Sequence, residues 1–463
     1  MSPGKLVVNS AYPFIKLVFV CCACWILSCS SDDNKMLSEE IKKSLITNIA
    51  QVWYPCTIDT INGGFLSNFN HKWAPHTYQG KMIVTQARHL WTTSQLSLFL
   101  SNDSYKTMAQ SGYDFLKSKM WDSAYGGFYT YRNQAGEEPG HDFRNFKSAY
   151  GNAFAIYGLS SYYKLTGDTS ALNLAKRTFF WLEKHSYDPE YGGYYDQMNR
   201  EGMNFGNVPE DKLDRRIRMY RWKDYNSSIH LLEAFTELYK IWPDDLLKKR
   251  VAEMLTLIRD IMIGGNGYLK LYFEQDWRPV SFRDSTKDMI MKNINLDHIT
   301  FGHDVETAYL MSEACNTLEH KIDSLTLIKA KKLVDHALEN GWDNLHGGLF
   351  YQGYYFKGTD TCTIINKEKS WWVQAEALNA FLLMAKLFPK ENHYNEAFEK
   401  QWEYIKSYLI DYEYGGWYEY GLDQNPEAGE RPKAHDWKVS YHDSRALINC
   451  IKLLKDEHEL LER

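Results

Sequence analysis

Much of the chain places apolar residues at steps of three and four, the spacing that puts them on one face of an α-helix. Clear examples are Tyr105–Lys119, Ala171–Lys184 and Leu246–Ile261, with further helices predicted at Ala149–Leu165 and Trp371–Leu387. These stretches alternate with short segments rich in glycine and aromatic residues. The pattern therefore predicts helices joined in pairs by tight turns.

The glycine-rich segments share one motif, an aspartate followed after three residues by Gly-Gly. Glycine permits positive φ and a tight turn, and the aromatic residues that follow most copies are typical of a short hairpin arm. Each unit is predicted to be helix, Gly-Gly hairpin and helix, with a period longer than that of common solenoid repeats. The six copies start at Asp59, Asp122, Asp188, Asp260, Asp343 and Asp411.

Six such units predict an all-α fold, an (α/α)6 barrel in which twelve helices form an inner and an outer ring around short Gly-Gly β-hairpin turns. No Pro- or Ser-rich linker divides residues 36–463, so this range is predicted to be a single domain. A closed ring also explains why no capping repeats are obvious at the ends. An open solenoid is the alternative.

The first 29 residues are predicted to be a targeting segment. Lys5 and Lys16 supply positive charge, and the apolar run Leu17–Leu27 follows. This run is shorter than the roughly 20 residues that cross a bilayer, but it suits the core of a signal peptide. It leads into Cys29 in a pattern that resembles a bacterial lipoprotein signal, with Cys29 as the lipidated residue; an ordinary signal peptide is the alternative. Residues 30–35 are predicted to form a polar tether.

Composition narrows the class of function. Aromatic residues make up 15% of the chain, with 33 Tyr and 15 Trp; sugar sites favour such rings, although they also fill large helical cores. The net charge of −6 and the lack of a long basic run argue against a nucleic-acid partner. The cysteines that follow Cys29 are scattered, and no Cys/His cluster indicates a metal site.

Polar and aromatic residues that are unusual in a helical core occur near the start of the second helix of each unit. They are Arg88; Tyr150 and Asn152; Asn226 and His230; His303 and Glu306; Trp371, Trp372 and Glu376; and Trp437 and His442. Residues three or four apart share a helical face, which suggests that Glu306 orients the imidazole of His303 or tunes its charge. Trp437 lies five residues before His442, so we expect it in the loop before that helix. If the helix starts converge, these side chains surround one pocket.

Histidines with carboxylates and an arginine suit proton transfer next to a carbonyl. The ordinary pKa of histidine, about 6.5, lets it act as acid or base near neutrality. Removal of the C2 proton of an open-chain aldose gives an enediolate, whose negative oxygen Arg88 would stabilise. Glu306 and Glu376 could instead supply the two carboxylates of a glycoside hydrolase.

Together the motifs resemble the N-acylglucosamine 2-epimerase superfamily, most closely its cellobiose and mannobiose 2-epimerase branch. The resemblance covers nearly all of residues 36–454. The matching segments are ARHLW around Arg88, SAYGNAFAIYGL from Ser148, NSSIHLLEAF from Asn226, GHDVETAYL from Gly302, WWVQAEAL from Trp371 and WKVSYHDSRA from Trp437.

The resemblance implies an (α/α)6 barrel with no metal or organic cofactor, and epimerisation at C2 through a cis-enediolate. His442 resembles the general base and His303 the second acid–base group. The residues expected to be catalytic are His442, His303, His230 and Arg88. The residues expected to bind the sugar are Tyr150, Asn226, Glu306, Trp372, Glu376 and Trp437.

Four positions depart from the disaccharide branch and are expected to bear on which sugar is used: Ser228, Tyr309, Ser440 and Asp443. The leading hypothesis is a monomeric 2-epimerase for the reducing end of a β-1,4-linked disaccharide of the cellobiose or mannobiose type. It would be lipid-anchored in the bacterial cell envelope, at the outer membrane or the periplasmic face. The alternatives are an aldose–ketose isomerase of the same family, a glycoside hydrolase, and a non-catalytic glycan-binding lipoprotein.

Overall fold

The computed structural model describes residues 1, 32–139, 146–206, 208 and 218–461, so the predicted signal segment and Cys29 lie outside the described residues. In the described ranges the long helices, in chain order, are α1 (32–56), α2 (Ile83–Leu100), α3 (Asp103–Phe115), α4 (Ala149–Thr166), α5 (Thr169–His185), α6 (Tyr225–Ile241), α7 (Asp245–Thr256), α8 (Lys287–Asp297), α9 (Phe301–Glu319), α10 (Ser324–Gly341), α11 (Trp371–Leu387), α12 (His393–Tyr404) and α13 (Tyr441–Leu454). A π-helical stretch extends α3 to Met120, α7 to Met262 and α12 to Leu409.

Six of these helices form a closed inner ring. α2 packs against α4, α4 against α6, α6 against α9, α9 against α11 and α11 against α13, and α13 returns to α2. The other six barrel helices, α1, α3, α5, α7, α10 and α12, form the outer ring. The closure confirms the predicted (α/α)6 barrel and excludes the open solenoid.

Short strands link neighbouring units at one end of the barrel. A strand directly before an inner helix pairs antiparallel with a strand that follows the next turn. The strands are β1 (Lys81–Met82), β2 (Tyr131–Arg132), β3 (Lys147–Ser148), β4 (Gln197–Met198), β5 (Lys223–Asp224), β6 (Tyr272–Phe273), β7 (Ile299–Thr300), β8 (Gln352–Tyr354) and β9 (Thr363–Asn366). The pairs run β1–β2, β3–β4, β5–β6 and β7–β8–β9. This end of the barrel is also where the inner helices begin.

In five units the aspartate of the motif forms a buried ion pair that sequence analysis did not single out. Asp122, for example, accepts the backbone N–H of Ala124 at 3.0 Å and the Nζ of Lys147 at 3.0 Å. Lys147 also donates to the carbonyl of Gly126. Because Lys147 directly precedes α4, the pair ties the turn to the start of an inner helix. The equivalent pairs are Asp59–Lys81, Asp188–Lys223, Asp343–Lys369 and Asp411–Lys433.

The fourth unit differs, and the prediction of Asp260 as its motif aspartate is wrong. Asp260 lies in the helical extension of α7 and pairs with Arg259 at 2.8 Å. The turn instead begins at Gly264, whose N–H donates to the carbonyl of Tyr268. Buried Ile299 stands two residues before α9, where the first, second, third and fifth units have lysine. Both members of the ion pair are therefore replaced together, so that neither charge is left buried without its partner.

Two further features differ from the predicted pattern. Helix α8 is an addition between the fourth turn and α9. Helix α1 includes residues 32–35, which were predicted to belong to the polar tether. Among the described residues, no helix combines the length and the apolar character that a membrane crossing requires.

Lys147→Ile should destabilise the protein, because it removes the buried cation of Asp122 and leaves this carboxylate only the more exposed Arg200 as a partner. We expect a loss of about 3–5 kcal/mol in the free energy of unfolding, measured by urea titration. Adding Asp122→Gly, the combination that the fourth unit carries, should recover part of this loss. A double variant no more stable than Lys147→Ile would contradict the account.

The same pairs predict sensitivity to acid. Burial opposes the charge of Asp122, but hydrogen bonds from Lys147 and Arg200 outweigh it and lower the pKa of Asp122 to about 2. A lowered carboxylate pKa gives stability above the ordinary value of 3.8 that is lost as the pH falls towards 2. The free energy of unfolding should therefore fall as the pH drops from 3.8 towards 2. It should fall less steeply in the double variant Lys147→Ile/Asp122→Gly.

Candidate active site

The starts of the inner helices and the loops before them surround a cavity of about 330 Å³. Nine of the ten predicted catalytic and sugar-binding residues line it: Arg88, Tyr150, Asn226, His230, His303, Glu306, Trp372, Trp437 and His442. The tenth, Glu376, hydrogen-bonds to His442. The predicted convergence on one pocket is therefore confirmed for these residues. The prediction is wrong for Asn152, which lies outside the lining and bonds to the backbone of Phe128 and Ser148.

His442, on the first turn of α13, is oriented by a buried carboxylate. Its Nδ1 lies 2.6 Å from Oε1 of Glu376. Because an ionised carboxylate can only accept, Nδ1 carries the proton and Nε2 keeps a lone pair. Burial and the positive charges of Arg88 and Arg445 lower the pKa of His442 well below its ordinary value. The imidazole is therefore neutral at pH 7 and able to accept a proton.

His303, on the first turn of α9, lies between aromatic rings. Its ring centroid is 5.0 Å from those of Tyr225 and Trp372, and its Nδ1 has no hydrogen-bond partner among the described residues. Burial, with a contribution from His230, lowers the pKa of His303 to about 3. This imidazole is also neutral at pH 7.

The prediction that Glu306 orients His303 is wrong. Oε1 of Glu306 accepts a hydrogen bond at 2.7 Å from Nη2 of Arg445 and lies 3.9 Å from Nδ1 of His442. A guanidinium is a permanent cation, so it binds a buried carboxylate more strongly than a neutral imidazole does. Burial, together with the charge of Glu376, raises the pKa of Glu306 to about 7.

His230 has its own carboxylate, Glu233, one turn further along α6. Nδ1 of His230 lies 2.9 Å from Oε2 of Glu233. Asn226, one turn earlier, faces the same cavity, as the spacing predicts. Sequence analysis did not select Glu233, although its distance of three residues from His230 was the signal that could have found it.

Arg88 brings a buried positive charge to the cavity. Its Nη2 donates to the hydroxyl of Tyr150 at 3.0 Å, and its Nη1 donates to the carbonyl of Trp437 at 3.4 Å. Its Nε has no partner among the described residues. The guanidinium lies 4.4 Å from the centre of the Phe154 ring. A fixed guanidinium with a free donor suits an oxygen that becomes negative during a reaction.

Two tryptophans offer flat surfaces to a ligand. The Trp372 ring centroid lies 5.0 Å from that of His303 and 5.7 Å from that of His442, so the indole contacts both imidazoles. Trp437 lies in the loop before α13, as predicted, and is 54% exposed at the mouth of the cavity.

Sequence analysis missed part of the cavity wall, namely Tyr351, Ser370, Glu419, Tyr420 and His435. His435 and Glu419 form a polar pair, with 3.2 Å between Nε2 and Oε1. Nδ1 of His435 also accepts the N–H of Trp437. Four of these five residues lie in strands and loops outside the inner helices, where helical spacing gives no signal, and the fifth, Ser370, immediately precedes α11.

Known proteins are similar to the chain over most of its length. The sequence model of the N-acylglucosamine 2-epimerase (GlcNAc 2-epimerase) family matches residues 63–446. The chain belongs to this family. Among curated relatives, the cellobiose 2-epimerase of Bacteroides fragilis is 29% identical over 91% of this chain and 99% of its own length. A cellobiose 2-epimerase of Ruminococcus albus is 30% identical, covering 90% and 98%. The solved cellobiose 2-epimerase of Spirochaeta thermophila superposes with a TM-score of 0.76 at 27% identity, covering 92% and 98%.

The four departures from the disaccharide branch of the N-acylglucosamine 2-epimerase family lie away from the cavity lining. Ser228 donates to the carbonyl of Asp224, and the Ser440 hydroxyl bonds to that of Tyr54. Tyr309 lines a separate cavity of about 210 Å³. Asp443 is buried, which is the main reason why its pKa rises to about 7. None of the four lines the cavity, so any effect that they have on sugar choice must be indirect.

Two groups of described residues in this member of the family have the ligand types of a metal site. In the first, Asp343, His346 and Asp423, both aspartates pair with Lys369. The second lies at the cavity. Oxygen and nitrogen atoms of Glu306, Glu376 and His442 lie within 4.8 Å of one another. The guanidinium of Arg445, however, places Nη2 2.7 Å from Oε1 of both glutamates. Arg445 thus supplies the positive charge that these carboxylates require.

Removal of divalent metal ions by a chelator should therefore leave the rate of turnover unchanged. Because the Arg445 guanidinium occupies the space between Glu306 and Glu376, we expect kcat after EDTA treatment and dialysis to equal that of untreated protein. Turnover of a disaccharide is the measurement. Loss of activity that returns with added divalent metal would contradict this reading of the cluster.

Proposed function

We propose that the protein is a carbohydrate 2-epimerase that inverts C2 of the reducing-end sugar of a β-1,4-linked disaccharide of the cellobiose or mannobiose type. The observation that carries the proposal is the pair of neutral imidazoles, His442 and His303, on the wall of one cavity with Trp372 in contact with both. The relatives named as cellobiose 2-epimerases support the disaccharide class.

In the proposed reaction the sugar ring opens, and Nε2 of His442 removes the proton from C2 of the aldehyde form. The C–H electron pair becomes the C1–C2 double bond, and the carbonyl electrons move to O1, giving an enediolate. Arg88 stabilises this negative oxygen. His303, protonated from solvent, then delivers a proton to C2 from the other face, as the electrons on O1 re-form the carbonyl and the C1–C2 pair forms the new C–H bond. The aldehyde re-forms with inverted C2, and His442 releases the proton it took to solvent. The two histidines exchange roles in the reverse direction.

The lowered pKa values of His442 and His303 suit this order of proton transfers. A histidine must be neutral to accept a proton, and both imidazoles are neutral at pH 7 in the free protein. Negative charge on the enediolate favours a proton on the imidazole that faces it. The proton gained by His442 is stabilised by Glu376, the acceptor at its Nδ1.

The geometry disfavours a glycoside hydrolase. Such an enzyme needs two carboxyl groups that flank the scissile bond. Here Glu306 and Glu376 both bind the same nitrogen of Arg445 through Oε1, and Glu376 does not line the cavity. Both of these carboxylates bind Arg445 rather than lie on either side of a sugar. Glu419, the other carboxylate in the described lining, pairs with His435.

An aldose–ketose isomerase would share the enediolate but place the returning proton on C1. Product analysis therefore tests the proposal. Cellobiose, mannobiose, glucose and mannose are incubated separately, and the products are resolved by anion-exchange chromatography. We expect the C2 epimer of a disaccharide as the main product. A 2-ketose as the main product would establish the isomerase, and released monosaccharides would establish a hydrolase.

The protein is further proposed to be an envelope lipoprotein anchored through Cys29. The support is the sequence pattern of the first 29 residues. Cys29→Ser should move the protein from the membrane fraction to the soluble fraction and abolish labelling by radioactive palmitate in the native host. If the variant and the original protein distribute equally between the membrane and soluble fractions, anchoring through Cys29 would be contradicted.

The protein is proposed to act as a monomer, because one chain supplies all ten predicted site residues and the ring of inner helices closes within that chain. Sedimentation equilibrium of active protein is the test. Activity that appears only in a dimer would contradict the proposal.

A further inference from the structure

A chain of buried charged groups connects His230 to His442 behind the cavity wall. Nδ1 of His230 lies 2.9 Å from Oε2 of Glu233, and Oε1 of Glu233 accepts a hydrogen bond from Nη1 of Arg445. Nη2 of Arg445 donates at 2.7 Å to Glu376, whose Oε1 bonds to Nδ1 of His442. One guanidinium therefore connects the two imidazoles.

Arg445 has little freedom in this arrangement. Its side chain is 3% exposed and contacts carboxylates from three other inner helices, those of Glu233, Glu306 and Glu376. Burial opposes its charge, but Glu376, Tyr441 and Glu233 outweigh burial and hold the pKa of Arg445 well above its ordinary value. The planar guanidinium presents its N–H donors in a fixed fork, so it also fixes where the carboxylates lie.

Neither Arg445 nor Glu233 is among the described residues that line the active cavity. The Arg445 side chain instead reaches the separate cavity that Tyr309 also lines. Any effect of Arg445 or Glu233 on a sugar must therefore pass through the histidines and carboxylates that they hold.

We propose that Arg445 and Glu233 are positioning residues of the reaction, which set the tautomer and ring orientation of His230 and His442 without touching the sugar. The inference rests on the proposed epimerase function. Glu233 and Glu376 accept hydrogen bonds, so both require the proton on Nδ1 of their histidine and leave Nε2 unprotonated. Arg445 keeps both carboxylates in place at once.

Two substitutions of Arg445 separate geometry from charge. Arg445→Lys keeps the positive charge but loses the planar set of N–H donors that holds the carboxylates. We therefore expect kcat to fall about 10- to 100-fold, with KM within about threefold of the original. Arg445→Met also removes a charge that lowers the pKa of His442. That pKa should rise, and because His442 must be neutral to accept the C2 proton, the acid limb of the pH–rate profile should move to higher pH.

The other groups that face His442 are unchanged in both variants. They come from four other inner helices: Arg88 on α2, His230 on α6, His303 and Glu306 on α9, and Glu376 on α11. Because lysine keeps a positive charge at this position and methionine does not, a difference in the acid limb between Arg445→Lys and Arg445→Met reports the loss of that charge.

Arg250→Lys is the matched control. Arg250, on α7, is also buried between carboxylates, Glu183 and Glu253, but it lies outside the cavity lining. We expect its kcat and pH profile to match those of the original protein. If the original protein shows no epimerisation, the proposed function fails. If it is active and Arg445→Lys keeps kcat within threefold with an unchanged profile, the positioning role alone is overturned.

Glu233→Gln provides a second test if the Arg445 variants do not fold, as judged by circular dichroism. The amide keeps the shape of the side chain, but it can donate as well as accept and no longer dictates the proton position on His230. We expect kcat to fall about tenfold and the ¹⁵N shifts of the histidines to show a changed tautomer mixture. Unchanged kcat together with an unchanged tautomer would overturn the proposal.

Discussion

His442→Ala should lower kcat for epimerisation about 10³- to 10⁴-fold, within the range that general acid–base groups contribute. Alanine removes the imidazole whose Nδ1 is held 2.6 Å from Glu376 and whose Nε2 is left to accept the C2 proton. No other described residue that lines the cavity pairs a neutral imidazole with Glu376, so none can replace it. The measurement is the initial rate of epimer formation in both directions.

The matched control for His442→Ala is His89→Gln. His89 is also a buried histidine, on α2, but it stacks on Phe65 and lies outside the cavity lining. Glutamine can keep a hydrogen bond to Tyr54, and we expect near-normal turnover. Circular dichroism checks that both variants are folded. A His442→Ala protein that is folded and retains a tenth or more of the original kcat would remove His442 from the mechanism.

His303→Ala should abolish interconversion as severely, by about 10³-fold or more, yet leave a partial reaction that reveals its role. If His442 and His303 serve opposite faces of the enediolate, the variant keeps one base. Only the epimer whose C2 proton faces His442 should then exchange that proton with solvent, and it should do so without inversion.

The two variants are therefore expected to be complementary. His442→Ala should allow exchange only in the epimer that His303 serves, and His303→Ala only in the other one. NMR of each separate epimer in D2O distinguishes the two patterns. Exchange of both epimers by His303→Ala would show that one base serves both faces, and a two-histidine mechanism would be wrong.

The sequence predicted the ring and the pocket because both depend on local patterns. Three- and four-residue spacing marks the outer helices, which bury one face, whereas the inner helices are buried on nearly all sides. Five of the six Gly-Gly motifs form turns at the predicted places. The prediction for the fourth unit was wrong because the residue types around Asp260 match the motif, whereas the hydrogen bonds of the turn begin at Gly264. A sequence motif alone does not show which backbone N–H and C=O groups form the hydrogen bonds of a turn.

Predictions of individual partners were less reliable, for a physical reason. A spacing of three residues places Glu306 beside His303 on α9, but it cannot show that Arg445, from another helix, competes for the same carboxylate. His435 and Glu419 lie in two different loops and contact each other. Helical spacing cannot predict such a contact, because it applies only within helices. Helix packing was thus predictable from single segments, whereas the charged network depends on contacts between segments that are distant in sequence.

The central claim is that the protein removes and returns a proton at C2 of a reducing sugar. The most direct measurement is NMR of cellobiose and mannobiose incubated with the full chain in D2O. The account predicts deuterium at C2 of the reducing-end residue in both epimers, with the glycosidic bond intact. Epimers that form without deuterium at C2, or cleavage of the glycosidic bond without C2 exchange, would contradict it.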